Sequence, residues 1–164
     1  MSRFCPTNNK TCLPTAVTGT ERCPPSADIV AYSLQIMLNG VLEIPCVKPP
    51  MEQIFNSTHE IQISKYTSIL VKKPPGQKVL VVGEMMVGIE YIANVPDQKI
   101  HFAHWGVPFQ ALIKNANGSL LSLDFDISQY NVYVCVEHES YSQLNDRTIV
   151  YDIVLLVWLQ QNNL

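Results

Sequence analysis

KVLVVGEMMVGIEYIANVPDQKIHFAHWGVPF, residues Lys78 to Phe109, decides the fold. From Val79 to Tyr91 one parity reads Val79, Val81, Gly83, Met85, Val87, Ile89 and Tyr91, while the other carries Leu80, Val82, Glu84, Met86, Gly88, Glu90 and then Ile92. A side-chain period of two over that length is a long β-strand, apolar on one face and mixed on the other. Asn94 to Gln98, with Pro96-Asp97, reads as a turn into a second strand, Lys99 to Ile113. In that strand Ile100 and Phe102 share one parity whereas Trp105, Val107, Phe109, Ala111 and Ile113 share the other, so a β-bulge around Ala103 to Trp105 is expected. Such a strand needs a partner sheet, which points to an architectural role.

Working outward, Val30 to Leu38 alternates, Asn39-Gly40 is a strong hairpin signal, and Val41 to Val47 is expected to return antiparallel. Gln53 to Ser64 resumes with Phe55, Ser57, His59, Ile61 and Ile63 on one face, Thr67 to Val71 continues it, and Pro74-Pro75-Gly76 marks a turn. After the Asn115 to Gly118 loop, Ser119 to Ile127 is either a short strand or a connection. Val132, Val134 and Val136, then Ile149, Tyr151, Ile153, Leu155, Val157 and Leu159, mark two further strands. No window shows a helical stripe, and β-branched residues dominate where the alternation is clean. The expectation is an all-β fold, a two-sheet antiparallel β-sandwich that is jelly-roll-like or an open barrel. Residues 1–27, broken by Pro6, Pro14, Pro24 and Pro25, read as a flexible arm, and residues 28–164 as the folded domain.

The chain of 164 residues carries a formal charge of -3, and its lysines are scattered, which leaves no electrostatic footprint for nucleic acid. With 47% hydrophobic and only 15% charged residues, part of the surface is expected to be covered by other subunits. The amino terminus lacks an apolar run, so a secretory signal is not expected, and no window is long and apolar enough for a membrane helix. Five cysteines, Cys5, Cys12, Cys23, Cys46 and Cys135, cannot all pair within one chain. Three fall in the arm, where they are placed to link subunits; the alternative is that all are reduced thiols. The first reading makes Cys5, Cys12 and Cys23 candidates for inter-subunit disulfides, with Cys46 or Cys135 as acceptors, although Cys135 could equally sit inert on the second sheet face.

Reactive constellations are sparse. His101 and His104, like Cys135 and His138, stand three apart, and side chains three apart on a regular strand point to opposite faces, so neither pair chelates a metal without a bulge. His59 reads as a surface side chain. Asp124 and Asp126 read as turn-forming, and Asp146 and Asp152 lie near the last strand without a partner that would make them an acid and a base. No nucleophile elbow or phosphate loop is present, so no catalytic residue, cofactor or metal is expected. Asn56-Ser57-Thr58 and Asn117-Gly118-Ser119 match a glycosylation pattern that carries little weight without a secretory signal, and Asn117-Gly118 reads as a turn. Tyr66, Tyr91, Tyr130, Tyr133, Tyr141 and Tyr151 are scattered through strands and form no evident platform for sugars or bases.

The run VVGEMMVGIEYIA, then a turn, then HFAHWGVPFQALI, resembles the SPOCS domain of bacterial spore-coat-associated proteins. The residues that carry the resemblance are Val82, Gly83, Tyr91, Pro108 and Phe109, and TIVYDIVLLVWL looks like that domain's closing strand. The likeness extends over Ile61 to Leu159, without the tandem copies or peptidoglycan-binding module found in many members. It implies a structural protein of the endospore surface, in coat, exosporium or appendage, built in the mother cell without a signal peptide. Together with the arm it implies a subunit that polymerises with copies of itself through strand addition and inter-subunit disulfides, with other coat proteins as further partners. A non-polymerising adaptor for a coat morphogenetic protein is the alternative, and a carbohydrate-binding or enzymatic jelly roll is a third reading.

Overall fold

A computed structural model describes residues 21–25 and 30–163. Six strands follow one another: β1 (Tyr32–Glu43), β2 (Met51–Lys72), β3 (Pro75–Ala93), β4 (Ile100–Asn115), β5 (Tyr130–Gln143) and β6 (Thr148–Gln161). Their order in space is β2-β3-β4-β1-β6-β5, with every neighbouring pair antiparallel. The two edge strands meet, because Met51 N donates to the Asp146 carbonyl at 2.6 Å and Gln143 Nε2 to the Met51 carbonyl at 3.2 Å. The fold is therefore all-β, and of the two expected forms it is the open barrel, one nearly closed sheet rather than two separate ones.

β3 is the spine. Its odd positions from Val79 to Ala93 are all buried and face the core, as the alternation requires. They share one hydrophobic core with Val107, Phe109, Ala111 and Ile113 of β4 and with Leu155 and Val157 of β6. The β2–β3 hairpin falls where the prolines announced it: Lys72 pairs with Pro75 across a two-residue turn, Lys73-Pro74, whose peptide bond is cis.

Three local expectations are corrected. Asn39-Gly40 is no hairpin. β1 runs straight through it, and Gly40 lies opposite Tyr151 of β6, where a Cβ would stand 2.8 Å from the tyrosine Oη. The glycine is there to let an aromatic ring cross the backbone, which is the other common reason for glycine in a strand. Nor is there a bulge at Ala103 to Trp105, since the β3–β4 register is unbroken from Val79↔Ile113 to Ile92↔Ile100. Ile100 and Phe102 simply face outward, and Phe102 lies over Gly88, within 2.7 Å of where a Cβ would be. The irregularities sit instead in β2, at Met51/Gln53, Ile54/Asn56 and Ile63/Lys65, and in β5 at Val136/His138. The shift at Ile54/Asn56 leaves Phe55, expected on the same face as Ile61 and Ile63, on the surface at 61% exposure while those two are buried.

Ser119 to Ile127 is mostly connection. Leu121 makes a single bridge to Gln77, whose buried amide Nε2 donates to the carbonyls of Ser122, Leu123 and Phe125 and so pins the loop. A short 3-10 turn, Ile127–Gln129, follows, capped by Asp126. Tyr32, Phe125 and Tyr130 close this end of the barrel by ring contacts of 5.0 to 5.5 Å.

Gly83 sits beneath Phe109, and an added Cβ would lie 2.5 Å from both the Gln62 carbonyl and the Phe109 ring. Backbone on one side and a packed aromatic on the other leave no room to yield. Gly83→Ala is expected to destabilise the fold by about 1–3 kcal/mol, read as a lower denaturant midpoint with an unchanged slope.

Candidate functional site

The candidate site lies at the meeting of β2 and β5, where the end of the amino-terminal arm is laid against the barrel. Glu21 forms a parallel bridge with Val134, and Arg22 N donates to the Val134 carbonyl at 2.9 Å. The Trp158 indole donates to the Arg22 carbonyl at 2.8 Å. The Arg22 guanidinium stands 5.2 Å from the Tyr133 ring centroid and donates to Gln160 at 2.9 Å. Residues 21–23 thus add to the edge of β5 in the manner of a short further strand. The expectation of a loose arm up to Ala27 is corrected at this point; Met1 to Thr20, and the expected domain start at Asp28, lie outside the described residues.

The cysteines follow from that placement. Cys23 and Cys135 form a disulfide within the chain, with their Cα atoms 4.5 Å apart and 112 residues between them in sequence. This overturns the expectation that Cys23 and Cys135 join neighbouring subunits. Cys135 does face away from the valines beside it, on the outer side of β5, and the arm covers it there so that it is 5% exposed. Cys46 is disulfide-bonded as well. Cys5 and Cys12 lie outside the described residues.

His59 is the residue the sequence did not mark. Its side chain stands between two carboxylates, with Nε2 2.7 Å from Glu21 Oε2 and Nδ1 3.0 Å from both carboxylate oxygens of Glu139. Burial pulls its pKa down, but the hydrogen bond to Glu21 and the charge and hydrogen bonding of Glu139 outweigh it, so the imidazole is held above its ordinary value. Glu139 also accepts from Tyr141 Oη at 3.0 Å, and burial followed by that carboxylate's charge pushes the Tyr141 phenol well above its usual range. The three side chains belong to the arm, β2 and β5, and no sequence spacing announces their meeting.

Other residues singled out from sequence stay apart. His101 stacks on Tyr91 at 5.9 Å whereas His104 stacks on Phe102 at the same distance on the opposite face. Among the described residues no group of three or more His, Cys, Asp or Glu could hold a metal ion. Asp126 accepts from Ser128 N and Oγ, and Asp124 accepts from Ser122 Oγ; these serine contacts hold both exposed carboxylates below their usual range. Both aspartates shape turns, as does Asn117, which accepts from Ser119 N beside Gly118 at φ 86°. Asp146 serves through its backbone carbonyl, and Asp152 faces solvent opposite Asn39. Of the positions that carry the resemblance noted in the sequence, Tyr91 is fully buried and donates to the Pro49 carbonyl at 2.8 Å, Gly83 and Phe109 pack on each other, and Val82 and Pro108 line a cleft between β1 and β4. No helix among the described residues is long and apolar enough to cross a membrane. Compared with protein-family models, with curated proteins and with solved structures, the chain matches none.

Two outcomes are expected of this clasp. Because the Cys23–Cys135 link closes a long loop, Cys135→Ser should cost about 2–4 kcal/mol of stability, and a peptide map without reductant should show the two peptides joined in monomeric chain. For His59, a raised folded value means that the clasp's contribution is complete below the ordinary imidazole pKa of 6.5 and is lost as pH rises through the folded value. The denaturant midpoint should therefore decline over that rise in the native chain, and His59→Gln should flatten this part of the profile.

Proposed function

We propose that the chain is a structural, self-assembling subunit of a bacterial endospore surface layer, joined to its neighbours through the amino-terminal arm. The observation that carries this reading is the outer surface of the barrel. Met37 is 77% exposed, Leu70 70%, Phe55 61%, Val41 57%, Ile100 55% and Phe102 46%, a set of large apolar side chains that a solitary domain has reason to bury. The resemblance to SPOCS domains in Val82, Gly83, Tyr91, Pro108 and Phe109 supplies the spore surface as the setting, with other coat proteins as additional partners. It also supplies assembly in the mother cell followed by exposure on lysis, which reconciles cytoplasmic synthesis with persistent disulfides. Since Cys23 and Cys135 are joined within one chain and Cys46 is disulfide-bonded as well, one cysteine, within residues 1–20, is left for a covalent joint between subunits.

Light scattering and negative-stain imaging of the purified full chain test the proposal. Extended assemblies are expected, converting to small particles when residues 1–20 are removed. A full chain that stays monomeric at every concentration overturns the self-assembling reading, and a small closed oligomer indifferent to the arm favours the adaptor instead.

A further inference from the structure

On the outer face of β2, β3 and β4 the charges are sorted by height. At the end nearest the β2–β3 hairpin, Lys78 faces outward level with Ile69 of β2, and Lys114 lies one position past Ile113, the β4 partner of Val79. Lys65 follows, opposite Val82. Farther down come the carboxylates: Glu84 on β3, Glu60 opposite Met86, and Glu90 opposite Asn56 and Phe102. Lysines that are scattered in the sequence are thus gathered at one end of a single face, and glutamates at the other. Among the described residues none of these six forms an ion pair. Ile69, Leu112 and Phe102 stand between and beside them at 37%, 39% and 46% exposure. The spacing is symmetric about Glu84. On β3, Lys78 stands six residues above it and Glu90 six below; on β2, Lys65 is level with Val82, two above, and Glu60 with Met86, two below.

We propose that this face pairs with the same face of a second copy, across a two-fold axis that crosses the strands at Glu84; the pairing goes beyond the arm-borne contact proposed above and does not need it. Rotation about that axis reverses strand direction and leaves each strand over its own counterpart, as an isologous contact requires. Lys78 then lies over the partner's Glu90, Lys65 over the partner's Glu60, and Lys114 over the partner's Phe102 ring. Two Glu84 side chains would meet on the axis, but each leans onto Gly106, where an added Cβ would collide with its carboxylate. Gly106 is level with Met86 and Gln110 with Val82, on either side of the axis. Leaning therefore carries each Glu84 carboxylate away from its twin and over the partner's Gln110, an amide donor. Lys78 to Glu90 spans about 40 Å of strand, and three strands add a width of about 14 Å. The pair then buries on the order of 1,100 Å², at the small end of specific interfaces. Stacking the two faces in the same direction would set lysine on lysine and glutamate on glutamate, so the charges also fix the orientation.

The test uses the full chain. Within one copy the strand holds Lys78 and Glu90 about 40 Å apart, so a zero-length amide made between them by a carbodiimide joins two copies. That link is expected in a peptide map of the native chain. Lys65→Glu with Lys78→Glu turns the face acidic, and Glu60→Lys with Glu90→Lys turns it basic. Each variant should pair with itself at least about tenfold more weakly than the native chain, while an equimolar mixture of the two should pair as the native chain does. Recovery in the mixture also shows that both variants fold. A native chain that polymerises without forming the link, or reversed variants that associate as it does, overturns the face and leaves the arm-borne reading standing. Loss of pairing in both variants with no recovery on mixing overturns the two-fold as well. Linked pairs that never grow further sustain the face and count against polymerisation through the arm. A native chain monomeric at every concentration overturns both.

Discussion

Everything in this molecule depends on what happens at the edges of one sheet. A strand edge is a row of main-chain donors and acceptors that must find partners, and rolling six strands toward a barrel concentrates the problem at the places where pairing stops. Here there are two such places, on opposite sides. At β2/β5 the strands do not pair as a ladder but are stitched by Met51, Gln143 and the arm residues that lie along Val134. At β1/β4 the ladder starts and then separates, and farther along the Trp105 indole ties the two strands by donating to the Glu43 carbonyl.

The interior solves a different problem, that of curvature in a small barrel. Flat, uniformly filled strands neither bend nor close, and glycines opposite large rings let the sheet coil without leaving voids. Gly83 against Phe109 and Gly40 against Tyr151 are two such pairs inside, and Gly88 under Phe102 is a third on the outer face. The register shifts in β2 do the rest, turning its long run so that Ile61 and Ile63 are buried while Phe55 is not. The residues that resemble the SPOCS pattern are for the most part these packing residues, so the pattern describes how the barrel is shaped.

The long alternation of β3 was legible because a period of two survives any sheet context in which one face is buried. The proline turn before β3 was legible for a similarly local reason. Asn39-Gly40 misled because glycine has two uses in a strand, a tight turn and a close approach, and only the cross-strand partner Tyr151 tells them apart. Ile100 and Phe102 suggested a bulge because outward-facing apolar residues look like inward-facing ones shifted by one position. The site was not legible at all: Glu21 lies 38 residues from His59 and Glu139 lies 80 away, and local patterns carry no information about contacts at such separation.

The arm's end gathers these threads. It is held by three kinds of bond that fail under different conditions: a backbone bridge and indole hydrogen bond, a disulfide, and an imidazole between carboxylates. Reduction leaves the imidazole contacts in place, and a rise in pH leaves the disulfide, so neither change alone frees the segment. Fixing Glu21 to Cys23 in this way settles where on the barrel the preceding residues begin. An odd cysteine count pointed to linkage between chains, yet a disulfide inside one chain is what aims the arm. Covalent closure at the β5 edge and, among the described residues, a β1/β4 seam paired only at Tyr32 and Ser33 are thus the two features that mark where this sheet's ladder stops.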